Sequence, residues 1–253
     1  MRPRLLLPSL AAASALTLSA CGSNGSSMFG SEPTTEGGAP AGQTAGSPET
    51  GTDATGSAAE GALECEEPPK PPSQPQSFTQ DDLPDPKSGD PATLTATVET
   101  NCGDIVLELD AANAPQTVAS FEFLADEGYW DASTCHRLTT AGLFVLQCGD
   151  PTGTGRGNPG YGYGIENAPA DGNYPPGSLA MARTQDPNSN GGQFFIVYED
   201  TMLPTQGGGY SIFGQVTEGL DIVQAIAEQG VEGGGGDGAP TQPISILSID
   251  IDG

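Results

Sequence analysis

The alternation of apolar and polar positions becomes regular near Ala92. "TLTATVET" sets Leu94, Ala96 and Val98 on one side, and "DIVLELD" does the same with Ile105, Leu107 and Leu109. A period of two marks a half-buried strand, and the turn residues Asn101 to Gly103 between the two runs predict a hairpin. In "APQTVASFEFLADEG" the period lengthens. Val118, Phe121, Leu124 and Ala125 fall on one helical face, Pro115 suits a first turn, and Gly128 suits a helix end. Short strands are expected around 134–138, 143–149, 179–183, 193–198 and 211–217. "GLDIVQAIAEQG" predicts a second helix with Leu220, Val223, Ile226 and Ala227 on its stripe. "PISILSIDI" closes the chain as a strand, and the phase break between Ile246 and Ile249 predicts a bulge.

These runs amount to about eight short strands and two helices, joined mostly by short turns. Short connections favour antiparallel neighbours over crossovers. The expected fold is mainly β: an eight-stranded antiparallel closed barrel, which leaves no bare edge, with the two helices capping its open ends.

Upstream of Ala92 the pattern is different. Arg2 and Arg4 precede a short apolar run, Leu5 to Leu18, and then "LSAC". The run is too short to span a bilayer and has the form of a secretory signal over residues 1–20. Its end resembles the lipobox of bacterial lipoproteins. That resemblance implies cleavage before Cys21 and lipidation of its thiol, anchoring the chain to the extracytoplasmic face of the cell membrane. Residues 21–91 are rich in Gly, Ser, Thr, Pro and acidic residues with almost no aliphatics, and are expected to form a disordered tether. As a Gly-rich coil it would reach about 45–50 Å. The folded domain is expected over 92–253.

Composition narrows the function. The formal net charge is −26, from 33 acidic and 7 basic residues. No basic stripe exists to displace counterions from phosphates, so nucleic acid is excluded as a partner. Beyond Cys21 the basic residues are Lys70, Lys87, Arg137, Arg156 and Arg183 alone. The only histidine, His136, sits beside Arg137, with Cys135 and Cys148 around them. The spacing of Cys135, His136 and Cys148 fits no common zinc site, and no metal or other cofactor is expected. Gly155, Gly157 and Gly160 fall in a G-x-G-x-x-G frame, but Pro159 and the glycines that follow deny it the helix a phosphate cradle needs. In an exported chain Cys65, Cys102, Cys135 and Cys148 are candidates for disulfides.

Three segments carry a resemblance: "CHRLTTAGLFVLQCGDPTGTGRGNPGYGYGIENAP", "PPGSLAMARTQDPNSNGGQFFIVYED" and "YSIFGQVTEGLDIV". In this order they resemble the cyclophilins, the peptidyl-prolyl cis–trans isomerases, and in detail the actinobacterial exported members. The resemblance implies an eight-stranded barrel capped by two helices. It assigns Arg137 as the catalytic residue. Phe144, Val145, Gln147, Ala182, Arg183, Gln193, Phe195, Leu203 and Tyr210 match the proline pocket and peptide groove. Val145 stands where many members have Met, Arg183 where Asn is common, Leu203 at or next to a Trp, and Tyr210 at a His. It also implies proline-containing unfolded or exported polypeptides as partners, assistance to their folding, and a monomer. The alternative is a proline-peptide binding module or chaperone with little catalytic activity. For Arg137 and Gln147 to cooperate they must share a face. Strand alternation then puts Cys135 on that face and Cys148 on the other, disfavouring a direct Cys135–Cys148 bridge and leaving pairings through Cys65 and Cys102 open.

Overall fold

The structure is a computed structural model and describes residues 63–252. The signal segment, Cys21 and the first part of the tether lie outside the described residues. The chain opens with a hairpin, β1 (Thr93–Thr100) and β2 (Gly103–Asp110), followed by α1 (Pro115–Asp126). Next come β3 (Ser133–Thr134), β4 (Arg137–Ala141), β5 (Leu143–Cys148), β6 (Asn173–Tyr174), β7 (Ser178–Met181), β8 (Phe194–Val197) and β9 (Thr201–Met202). Then follow β10 (Ile212–Glu218), α2 (Leu220–Glu228), β11 (Asp237–Gly238) and β12 (Ser245–Asp252).

Ten of these strands form one sheet in the order β11-β4-β5-β8-β7-β10-β2-β1-β12-β3, and β6 pairs with β9 apart from it. Every pairing between these strands is antiparallel. β3 lies at one end of the order and β4 next to the other, yet only residues 135 and 136 separate them. The sheet must therefore curl back on itself. The fold is a mainly β, curled sheet with two helices, built of more strands than the eight expected: the run expected at 134–138 is broken between β3 and β4, and the two-residue strands β6, β9 and β11 are added.

Alternation sorts the side chains. Leu138, Leu146, Phe194, Ile196, Leu179 and Met181 point into the main core, together with Leu94, Ala96, Val98, Ile105, Leu107 and Leu109 of the hairpin. The alternate residues Val145, Phe195, Val197 and Ala180 form a second apolar cluster around Tyr174. The hairpin connects through Asn101 and Cys102, with Thr100 opposite Gly103. The bulge falls in β12: Ser248 faces Glu99 and Ile246 faces Thr100, so Leu247 is left over and turns outward.

α1 starts with Pro115 and buries Val118, Phe121 and Leu124. Its free N–H groups are met from far along the chain. Glu166 accepts from the Gln116 N–H (3.0 Å) and from the Thr117 N–H and hydroxyl (2.8 Å each). A carboxylate there also complements the positive helix end. Gly128, at φ 64°, ends the helix as expected. α2 buries Val223 and Ile226.

Two expectations are corrected here. Residues 63–91 are not free tether. Cys65 is bonded to Cys102 at the hairpin tip. Phe78 packs edge-on against Phe123, with centroids 5.0 Å apart, and against Tyr129. The Phe78 N–H donates to Pro159 O (2.6 Å), and Gln80 exchanges two 3.1 Å hydrogen bonds with the backbone of Gly162. Lys87 pairs with Glu122. A few anchors spaced along a polar segment hold it down, though its composition has no apolar period to reveal this. Gly160, at φ 110°, leaves the space through which the Phe78 carbonyl passes. The second correction is the bridge between Cys135 and Cys148. Alternation holds only within an unbroken strand, and Cys135 sits in the break between β3 and β4. There its N–H bonds Ile244 O (2.9 Å) and its side chain joins the core beside Cys148.

Phe78→Ala removes the ring that pins this segment. Unfolding free energy should fall by roughly 2–3 kcal/mol, less than for a fully buried ring. Hydrogen exchange should quicken at the amides of residues 160–164. Unchanged exchange there would mean that Phe78 does not brace that loop.

Candidate functional site

The site grows from one rung of the sheet. Arg137 on β4 lies opposite Gln147 on β5, Gln147 opposite Phe195 on β8, and Phe195 opposite Ala180 on β7. Because rungs repeat every second residue, the next one on the same face carries Thr139, Val145 and Val197. One face thus shows a polar pair at one end and an apolar floor beside it.

The polar pair belongs to a longer chain of hydrogen bonds. Arg137 Nη1 donates to Gln147 Oε1 (3.2 Å), Gln147 Nε2 donates to Gln193 Oε1 (2.9 Å), and Gln193 Nε2 donates to Gly157 O (2.8 Å). The Gly157 N–H donates in turn to Asp150 Oδ2 (3.0 Å). Asp150 is fully buried, and its carboxylate also accepts from the N–H groups of Thr152, Thr154 and Arg156 and from both threonine hydroxyls. Burial alone would push its carboxyl pKa up. The bonds from the Thr152 hydroxyl and the Gly157 and Thr152 N–H groups outweigh that and hold it below the ordinary value. Gly157 must be glycine, because a Cβ would strike the Asp150 carboxylate.

The other end of the chain also finishes on a carboxylate. Arg137 Nε donates to Asp237 Oδ1 and Nη2 to Oδ2, each at 2.8 Å, a bidentate fork. Asp237 comes from the glycine-rich stretch before β12, where the two-residue β11 pairs with β4. The Arg137 hydrogen bond holds the Asp237 carboxyl below its ordinary pKa, and Asp237 raises that of Arg137. Both side chains stay partly exposed, so the pair orients the guanidinium more than it stabilises the fold.

The apolar floor is Val145 and Phe195, walled by Leu203, Tyr210 and Ile212. Tyr174 fixes one wall: its hydroxyl accepts from the Tyr210 N–H (2.8 Å) and donates to Tyr210 O (3.0 Å). The Phe195 and Tyr210 rings meet edge-on at 5.8 Å. Leu203 is set by its N–H on Gly172 O (2.9 Å). A recess of about 360 Å³, lined in part by Gln147 and Gln193, adjoins the floor through Ala182. The Ala182 N–H pairs with Gln193 O (2.9 Å).

The structure therefore brings together Arg137, Val145, Gln147, Phe195, Leu203 and Tyr210, with Gln193, Ala182 and Arg183 around the adjoining recess. Phe144 does not join them. It alternates with Val145, packs against the main core and meets Tyr198 edge-on at 6.0 Å, beside Gln224 and Ala227 of α2. Placing it in the pocket is corrected: two adjacent residues of one strand cannot share a face. Asp237, Tyr174 and Gly157 were not anticipated. Asp237 gave one faint signal, as the only charged residue in "GGGGDGAP".

The family model of the cyclophilin type peptidyl-prolyl cis-trans isomerase/CLD matches residues 95–251. The chain belongs to the cyclophilin family. It is 43% identical over 178 residues to a probable peptidyl-prolyl cis-trans isomerase B of Mycobacterium tuberculosis, covering 64% of this chain and 56% of that one. The chain thus spans just over half the length of that relative. It is 38% identical over 177 residues to peptidyl-prolyl cis-trans isomerase A of the same organism, covering 63% of this chain and 93% of that one. Among solved structures it is similar to a Cryptosporidium parvum cyclophilin type isomerase in the presence of the dipeptide Ala-Pro. The identity is 31% and the TM-score 0.53, over 63% of this chain and 99% of that one.

This cyclophilin site has a predictable pH response. His136 is pushed below its ordinary 6.5, first by burial and then by Arg137, against the pull of Asp150. Burial and Arg137 thus favour its neutral imidazole. Asp150 is held below the ordinary 3.8, so its contribution is full above that value and is lost as pH falls through the lower folded one. In an NMR titration the Gly157 and Thr152 amides should hold their shifts from pH 7 down past 4 and move only below it. Movement of these amides at or above the ordinary carboxyl value would contradict the Asp150 cage.

Proposed function

We propose that this chain is a peptidyl-prolyl cis–trans isomerase acting on X–Pro bonds of exported polypeptides and assisting their folding. The observation that carries the proposal is a guanidinium preoriented by Asp237 and Gln147, one rung from the apolar floor of Val145 and Phe195. Rotation about an X–Pro bond is slow because twisting breaks amide resonance. At the twisted geometry the proline nitrogen regains a lone pair. A donor fixed near that nitrogen stabilises the twisted state more than either planar isomer, which is the condition for catalysis.

Arg137 meets the requirement. Of the five N–H groups of a guanidinium, Asp237 and Gln147 occupy three, which leaves one on Nη1 and one on Nη2. Val145, Phe195, Leu203 and Tyr210 hold the proline ring against water, and Gln193 and the Ala182–Arg183 backbone align the peptide. No proton is transferred and no bond is cleaved, so no cofactor is needed. The structure of the Cryptosporidium relative in the presence of the dipeptide Ala-Pro supports a proline-containing ligand for this chain. Taking β3 and β4 as one interrupted strand, and setting aside the two-residue β11, we read the curled sheet as an eight-stranded closed barrel. The Cys135 N–H on Ile244 O supports closure at the break.

We further propose that the chain is exported and held by lipid on Cys21 at the extracytoplasmic face of a bacterial membrane, as a monomer. Two disulfides support an oxidising compartment.

A protease-coupled proline-peptide assay tests the reaction. Arg137→Ala should keep the fold and lower turnover by roughly 10²–10³, the usual cost of losing a preorganised donor. Near-normal turnover in a folded variant would sink the mechanism, and a wild-type chain that binds proline peptides without turnover would be a binding module.

Cys21→Ser should move the protein from the membrane fraction to the soluble one in a detergent partition. Retention by the membrane would exclude lipid on Cys21 as the anchor.

A further inference from the structure

The described residues hold five cations, and two of them line the recess beside the proline floor: Arg156 and Arg183. A third, Arg137, bonds Gln147, which lines it. This placement is uneven in a chain of formal charge −26. No Asp or Glu lines the recess. Asp150 lies beneath its Gly155–Asn158 wall, but that carboxylate is enclosed by loop N–H groups and threonine hydroxyls. Asp186 belongs to the neighbouring turn, where its Oδ1 accepts the Asn188 N–H (2.9 Å).

The cations differ in what already satisfies them. Arg137 has Asp237. Arg183 has no carboxylate partner among the described residues. Nε donates to Gly209 O (2.7 Å), Nη1 to Thr184 O (2.8 Å) and Nη2 to Gly207 O (3.1 Å), and the guanidinium stacks 5.0 Å from the Tyr210 ring centroid. Carbonyl oxygens and a ring face fix its position without cancelling its charge. Two of its N–H groups remain. Arg156 is exposed, and its guanidinium bonds to nothing among the described residues. One cation is held by its neighbours and the other is unpaired among the described residues, at the border of a recess with no acid of its own.

We infer that this recess selects an acidic side chain, Asp or Glu, one to three residues from the proline of the bound peptide. The inference rests on the proline-peptide reading of the adjoining floor. A chain lying over Phe195 and along Ala182 must carry its neighbouring side chains past Gln193 into the recess. A carboxylate there meets Arg183 held in place and Arg156 free to close on it. Arg183 and Arg156 are then specificity-determining residues, and the substrate class is proline segments of acidic polypeptides.

The long-range field opposes this, since the acidic surface repels an acidic peptide. The two effects separate by range. At 0.15 M salt the Debye length is about 8 Å, which removes most of the distant repulsion and leaves a contact pair largely intact. At that salt, Ala-Pro peptides carrying Glu, Gln or Lys at each of three positions on either side of the proline are titrated calorimetrically into the full chain. Turnover is followed in parallel. At one position the Glu peptide should bind about three- to fivefold more tightly than the Gln peptide, the span of an exposed ion pair, and the Lys peptide more weakly still. Arg156→Gln removes a side chain that holds nothing else in place and should cut that ratio. The double variant Arg156→Gln, Arg183→Gln should bring it near one. Equal binding of the three peptides at every position, or a ratio that survives the double variant, overturns the inference. Selective binding of the Glu peptide without turnover would instead overturn the isomerase reading and leave the specificity standing.

Discussion

A line of hydrogen bonds that diverges from Arg137 and ends on a carboxylate at either side sets the geometry of this site. From Arg137 the donors run through Gln147 and Gln193 to Gly157 O, and the Gly157 N–H passes the line to Asp150. On its other side Arg137 donates a fork to Asp237. Donors aligned in one sense polarise one another, so each bond supports the next. The two glutamine amides have one orientation that satisfies both neighbours, and this fixes the guanidinium without enclosing it. A guanidinium fully buried with its carboxylate would have no N–H to offer, and one left free would have no direction.

The line crosses three kinds of structure. Gln147 is on a central strand, so its direction is set by sheet pairing. Gln193 precedes β8, next to the Ala182–Gln193 pairing. Gly157 lies in a loop with no regular structure, held by the buried Asp150 carboxylate and, further along, by Phe78 and Gln80. The N-terminal segment is thereby connected to the site, through the loop it braces. Its disulfide to Cys102 holds the same segment to the hairpin at the opposite end.

The apolar side of the site follows a simpler rule. Each strand of the curled sheet has one face in the main core, and on β5, β7 and β8 the other face is covered by Tyr174, Leu203 and Tyr210. Those three come from β6 and the long connections between β7 and β10. The floor is therefore a property of the sheet and the walls a property of the loops.

The sequence by itself determined what depends on local period. The hairpin, both helices, the odd residue in the last strand and the shared face of Val145 and Gln147 follow from spacing that any extended or helical backbone enforces, whereas the register of two strands sets Arg137 opposite Gln147. Tertiary structure decided what depends on where unpatterned segments come to rest. Asp237 reaches Arg137 across 100 residues from a run of glycines, which has no period from which a position could be read. Cys135 meets Cys148 because the strand breaks at residues 135 and 136, and curling of the sheet sets that break. Phe144 faces α2 because alternation, which the motif match overrode, allows one of two adjacent residues on the groove side. Residues 63–91 are held by a disulfide, one ring and a few backbone hydrogen bonds. Such isolated anchors hold a chain only when their partners, far off in sequence, are already in place.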